Sequence, residues 1–127
     1  MQYRFFTYGP QAPTALCNGQ SCAELQGEWI VSLLKHMREH NIRTVNATAA
    51  SEKMWTENIW TIANRSLLPK ANSWYMGDNI PGKTREPLIY LGGVPAYYKF
   101  TMTVLSVTMK DLNWTRATTS DSARLMR

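Results

Sequence analysis

The chain has 127 residues, one domain's worth, with 44% hydrophobic and 18% charged residues, a balance that excludes a disordered chain. Its formal net charge is +5, yet Arg38, Arg43, Arg65, Lys70, Lys83, Arg85 and Lys99 stand singly, so no phosphate-backbone footprint exists and no nucleic-acid partner is expected. Cys17 and Cys22 have no second pair and no suitably spaced His, which excludes zinc and reads as two buried, reduced thiols of a cytoplasmic protein.

Tyr3-Arg-Phe-Phe-Thr-Tyr8 is aromatic-rich and ends at Gly9-Pro10, which predicts a strand whose partners lie elsewhere in the chain or in sequence outside it. The prolines 10 and 13 hold the next segment extended. Ser21-Cys-Ala-Glu24 matches a capping box and predicts a helix. Its apolar stripe is Cys22, Leu25, Trp29, Leu33 and Met37, and its end is expected near His40 and Asn41, where cationic side chains suit the helix dipole. His36 and His40 read as solvated residues of that terminus, not as general bases.

A second helix is predicted over about residues 48–68, with Trp55, Ile59, Ile62, Ala63 and Leu67 inward and Pro69 as its stop. Pro87-Leu-Ile-Tyr-Leu91 reads as a short strand closed by Gly92-Gly93, and Val94 onward as a helix with Pro95 near its start. Thr101-Met-Thr-Val-Leu-Ser-Val-Thr108 is β-branched and reads as a strand, and residues 115–127 are polar and expected to be mobile. No apolar run reaches the roughly 18 residues of a membrane span. No secretory signal pattern opens the chain, so the sequons at Asn46, Asn64 and Asn113 are chance matches.

The most informative stretch is Asn72-Ser-Trp-Tyr-Met-Gly-Asp-Asn-Ile-Pro-Gly-Lys83. Pro81-Gly82 predicts a tight turn, and an aromatic face with a lysine beside a turn can grip a flat, anionic ligand such as a nucleotide. By itself the stretch also fits a surface loop pinned by one buried Trp. Together with Gly9-Pro-Gln-Ala-Pro-Thr-Ala-Leu-Cys-Asn18, Leu88-Ile-Tyr-Leu-Gly-Gly93 and Tyr97-Tyr98, however, it resembles the C-terminal part of the Baeyer–Villiger monooxygenases, class B flavoproteins of the cyclohexanone and phenylacetone monooxygenase type. The resemblance spans about residues 3–100.

That resemblance implies an α/β fold: an incomplete C-terminal piece of a flavoprotein with two dinucleotide-binding domains, mostly helical with short strands. Residues 1–100 would be the C-terminal part of the FAD-binding domain, with residues 69–86 as a loop facing NADP, and residues 101–127 a divergent tail. Thr14, Ala15, Leu16 and Cys17 would line the ketone pocket as a bulge. Asn18 and Gly19 would start the helix beside the flavin, and Trp74 would reach the NADP ribose. Tyr75 and Lys83 match the motif without an assigned role. Asp78 and Thr84 depart from the family pattern, and Asp78 would either weaken binding of a polyanionic cofactor or turn outward. After Phe100 the family's Gly-Tyr-x-Gly-Phe ending is absent, which suggests a frameshift, a retained intron or a degraded gene end.

The seven glycines, at 9, 19, 27, 77, 82, 92 and 93, form no G-x-G-x-x-G, so neither dinucleotide fingerprint is present. The family's Phe-x-Gly-x-x-x-His-x-x-x-Trp signature and active-site Arg have no counterparts either. The readings are therefore a fragment of an FAD- and NADPH-dependent enzyme that converts a ketone to an ester or lactone, in secondary metabolism and with a separate N-terminal half; an inactive truncated remnant; or a nucleotide-binding module without redox chemistry.

Overall fold

The computed structural model describes residues 4–107 and 112–116. In chain order, a short 3-10 turn at Thr14–Leu16 leads into helix α1 (Gly19–Glu39), strand β1 (Ile42–Ala47) and helix α2 (Ala49–Ala63). Two further 3-10 turns, Leu68–Lys70 and Trp74–Met76, precede helix α3 (Val94–Val107) and strand β2 (Leu112–Arg116). The architecture is mostly helical with short strands, as expected, but neither strand lies where the sequence pattern points.

Residues 4–8 form no strand; residue 3 of that expectation lies outside the described residues. Tyr8 takes a left-handed conformation at φ 56, and its N–H donates to the buried side-chain oxygen of Gln26 at 2.6 Å. A ladder therefore cannot continue through it. Residues 87–91 likewise form no ladder, and the chain bends at Ile89. The Leu88 N–H donates to Tyr75 O at 2.8 Å while its carbonyl accepts from Gln11 N at 2.7 Å, so its two polar groups serve different neighbours instead of one strand.

β1 pairs antiparallel with β2, from Ile42 opposite Arg116 to Ala47 opposite Leu112, with a bulge between Ile42 and Thr44. Residues 115 and 116, expected in a mobile tail, thus belong to a strand; the rest of that tail, residues 117–127, lies outside the described residues. The expected strand over residues 101–108 is helical through 107. Helix α3 passes Phe100 unbroken because packing outweighs β-branched propensity: the Trp29 indole donates to Thr101 O at 2.8 Å, and the Thr103 hydroxyl bonds back to Lys99 O at 2.8 Å.

α1 starts earlier than the capping box suggests. Asn18 is its N-cap, and its side-chain oxygen accepts from Gln20 N at 3.0 Å and Ser21 N at 3.5 Å. Ser21 is instead within the first turn. α2 is capped by Thr48, whose hydroxyl accepts from Ser51 N at 3.1 Å, and it ends at Ala63, short of Leu68. Leu67, expected inward, is 77% exposed. One part of the core joins Leu33, Met37 and Ile42, with Trp29, Val45 and Leu105 against it. A second is aromatic: Trp55 stacks on Tyr90 with centroids 5.5 Å apart and meets Phe100 at 4.9 Å.

Gln26 is the buried polar residue on the inward side of α1. Its amide oxygen holds Tyr8 N and its amide nitrogen donates to the Tyr97 hydroxyl at 2.9 Å, so it joins the N-terminal segment to α1 and α3. Burial pushes the Tyr97 phenol above its usual pKa, an effect the Gln26 hydrogen bond opposes. Replacing Gln26 by Leu strands both partners, and the expected loss is about 1–3 kcal/mol, read as a lower urea midpoint. A midpoint equal to that of the parent chain would show that the bridge contributes nothing.

Candidate functional site

The segment 9–19 is shaped by two non-glycine residues with positive φ. Tyr8 at φ 56 and Gln11 at φ 61 each occupy a conformation that L side chains disfavour by about 1–2 kcal/mol. Tyr8 is held at three points. Its N–H goes to Gln26, its hydroxyl donates to Thr14 O at 2.8 Å, and its ring lies 3.6 Å from where a Cβ on Gly19 would stand. Gln11 is held by its bond to Leu88 O, and Tyr90 N donates to Ala12 O at 3.0 Å beside it. Pro13 is fully buried, so the segment is anchored immediately before Thr14.

From that anchor Thr14–Leu16 turns outward as the 3-10 turn. Ala15 and Leu16 are exposed, Leu16 at 53%, whereas Thr14 and Cys17 are half-buried. Asn18 and Gly19 follow directly, so the six residues from Thr14 to Gly19 form one continuous ridge at the N-terminus of α1. The sequence reading of two buried thiols needs correction: Cys22 is buried but Cys17 is only partly so, because it precedes the cap. Asn18 is also more specific than expected. Its side-chain oxygen is engaged by Gln20 and Ser21, so the group left for a ligand is the Gly19 N–H at the positive end of the helix.

Trp74 opens the 3-10 turn of the second loop and is 61% exposed. The turn is capped by the Ser73 hydroxyl, which accepts from Tyr75 N at 3.2 Å, and closed by Gly77 at φ 75. The Tyr75 ring lies 3.9 Å from that of Trp74, tilted by 31°. Trp74 is therefore backed on one side and open to solvent, not the buried pin of an ordinary surface loop. The Lys83 chain crosses Gly77, 3.3 Å from a Cβ position there, and its ammonium lies 4.0 Å from the Glu86 carboxylate.

The Asp78 carboxylate is engaged within its own loop. Its carboxylate meets Arg85 Nε at 2.7 Å and accepts from Ser73 N at 3.1 Å, while Arg85 Nη2 donates to Ala71 O at 2.8 Å and Pro69 O at 3.3 Å. The pair closes the base of the loop. Sequence reasoning missed this clamp, although opposite charges flanking the Pro81-Gly82 turn are a signal for it. It also missed Tyr8 and Gln26; a lone polar residue within the α1 stripe is the available sign of the latter.

Residues 86–90 join the two parts of the site. On one side Glu86 N and Leu88 N donate to Met76 O and Tyr75 O at 3.2 and 2.8 Å; on the other lie the bonds to Gln11 and Ala12. Pro87, fully buried, needs no donor partner between them. The cavities of about 190, 240 and 380 Å³ lie elsewhere, between the helices and beside Gly92, and none of the three is lined by residues 14–17 or Trp74.

No protein-family model matches the chain. The chain is 45% identical over 95 residues to the FAD-binding monooxygenase VdtE of Byssochlamys spectabilis, covering 75% of this chain and 17% of that protein. It is 42% identical over 92 residues to cyclopentanone 1,2-monooxygenase of a Comamonas species, covering 72% and 17%. The NADP+-bound structure of cyclohexanone monooxygenase from Rhodococcus sp. Phi1 superposes with a TM-score of 0.79 at 31% identity, over 87% of this chain and 20% of that one. The chain belongs to the Baeyer–Villiger monooxygenase family. It spans about a sixth of the curated relatives it matches (17%), and related structures include a complex with both FAD and NADP, of TM-score 0.74. Among the described residues of this Baeyer–Villiger homologue, no helix is long and apolar enough to cross a membrane, and no cluster of metal-binding side chains occurs.

The Asp78 clamp predicts a loop that resists local opening. In Asp78→Ala the Ser73 N–H and the Arg85 guanidinium lose their shared partner, so trypsin should cut after Lys83 and Arg85 several-fold faster than in the parent chain. Equal cleavage rates would show that the clamp does not hold the loop.

Proposed function

We propose that these residues supply a Baeyer–Villiger monooxygenase with one wall of its ketone pocket and with a loop that faces NADP. In this reading residues 1–100 are the C-terminal part of the FAD-binding domain, residues 69–86 are the cofactor-facing loop, and residues 101–127 are a divergent segment. The observation that carries it is the double attachment of residues 86–90, which ties the Thr14–Gly19 ridge to the Trp74 loop by backbone hydrogen bonds. Pocket wall and cofactor loop are then positioned by one short segment.

The chemistry of the ridge fits the assignment. Ala15 and Leu16 present apolar surface suited to the carbon skeleton of a ketone, and Thr14 and Cys17 flank it. Asn18 holds the helix end open, and the Gly19 N–H can donate to a polar atom of the flavin ring system. The exposed Trp74 offers a flat surface and an indole N–H to the nicotinamide cofactor. When bound, the reduced flavin supplies the activated oxygen that is inserted beside the carbonyl to give an ester or lactone. The residues of this chain orient the partners and exclude water.

These 127 residues hold no G-x-G-x-x-G, so both dinucleotides are seated mainly by sequence other than these residues, on the same polypeptide or on a separate N-terminal half. Two relatives point to the substrate class. One is a cyclopentanone and another an acetone monooxygenase, and a carbonyl compound is the common element. A setting in secondary metabolism belongs to the same proposal.

A chimera tests it. Residues 9–100 replace the matching segment of a full-length cyclohexanone monooxygenase, and the product should retain flavin, oxidise NADPH and form lactone. A chimera that holds flavin and oxidises NADPH yet converts no ketone would overturn the pocket assignment, and one that loses flavin would favour an inactive remnant. Within an active chimera, Trp74→Ala should raise KM for NADPH about fivefold, with kcat little changed, for a lost contact worth about 1 kcal/mol. An unchanged KM would remove Trp74 from the cofactor site.

A further inference from the structure

Cys17 and Cys22 flank the start of α1 in a specific relation. Asn18 is the N-cap, so Cys17 occupies the position just before it and Cys22 the fourth residue of the helix. Those two positions face each other across a helix N-terminus, where apolar side chains usually meet as a staple. Here both are thiols. Cys22 is fully buried, Cys17 is half-buried, and both are free. The Cys17 thiol donates to Asn18 O at 3.2 Å, and the staple positions turn its side chain toward that of Cys22.

We propose that Cys17 and Cys22 are a dithiol that closes to an intramolecular disulfide by exchange with a low-molecular-weight disulfide such as oxidised glutathione. Cys17 is the entry point because it alone reaches solvent. Its thiolate attacks one sulfur of the small disulfide, forming a mixed disulfide and releasing one small thiolate, which takes up the proton Cys17 gave to solvent. The Cys22 thiolate then attacks the Cys17 sulfur, forming the internal bond and expelling the second small thiolate, which is protonated in turn. Two protein thiols are oxidised and one small disulfide is reduced to two thiols, so electrons and protons balance.

The second step is slow at neutral pH for a reason present in the fold. In the reduced pair burial first, and then the hydrogen bond and charge of Cys17, push the Cys22 thiol from 9.0 up to about 11; in the mixed disulfide burial alone remains and still raises it, so little thiolate forms until the pH is well above neutral. Closure would tie the end of the Thr14–Leu16 turn to the first turns of α1, and Cys17 would no longer donate to Asn18 O.

The test uses the full chain with both cysteines intact. It is equilibrated in mixtures of reduced and oxidised glutathione, in buffer and in urea, quenched with acid, alkylated and weighed intact. The expected result is a closed monomer, two hydrogens lighter and without alkylation, that survives a mixture about tenfold more reducing in buffer than in urea, because the fold holds the sulfurs together. Its rate of closure from the Cys17 mixed disulfide should rise as the pH is raised from neutral past about 9. Equal stability of the bond in buffer and urea would overturn the proposal. So would a single glutathione adduct that never closes, or a disulfide formed only between chains.

Discussion

The Leu88 peptide group donates to Tyr75 O at 2.8 Å and accepts from Gln11 N at 2.7 Å, and the arrangement of the candidate site follows from those two bonds. Tyr75 adjoins Trp74, and Gln11 leads into the buried Pro13 and the ridge at the start of α1. A residue whose N–H and C=O serve different neighbours cannot lie in a regular strand, which is why residues 87–91 look like a strand in sequence and act as a connector in space. Pro87 suits the connector because its missing N–H removes a donor that would otherwise need a partner.

Around that connector, locally unfavourable conformations are held by specific bonds. Tyr8 and Gln11 adopt positive φ without being glycine, and each has its N–H committed, to Gln26 and to Leu88 respectively. Non-glycine residues persist in such conformations where surrounding contacts over-determine them, and functional sites are where this is commonly found. Gly92 shows the same tightness: a Cβ there would come within 2.5 Å of the Tyr90 ring and hydroxyl, so any side chain would displace the aromatic group that stacks on Trp55. The connector is thus fixed at one end by the aromatic core and at the other by the loop.

Much of the site was legible before its geometry. The Trp74-Tyr75 loop, the Gly9-Pro10 approach and the Asn18-Gly19 start carried the resemblance, and the curated and structural relatives bear out the family. Helices α1 and α2 were legible from their three- and four-residue apolar spacings. Other features were not. The pairing of β1 with β2 joins a short segment of mixed polarity to residues that look like an unstructured tail, and no local pattern encodes a contact so distant in sequence. Residues 101–107 are helical against their β-branched composition because Trp29 and the turns before them fix the helix. The Asp78 clamp was not legible because its partners, Ser73 and Arg85, are brought to it by the fold of the loop.

The chain itself fixes the ridge and the loop through residues 86–90. Amide hydrogen exchange of the unliganded chain reads this directly. The N–H groups of Gln11, Leu88 and Tyr90 should be protected together, opening as one unit with a shared free energy. Exchange at unstructured-chain rates for these three, while the α1 interior remains protected, would contradict it.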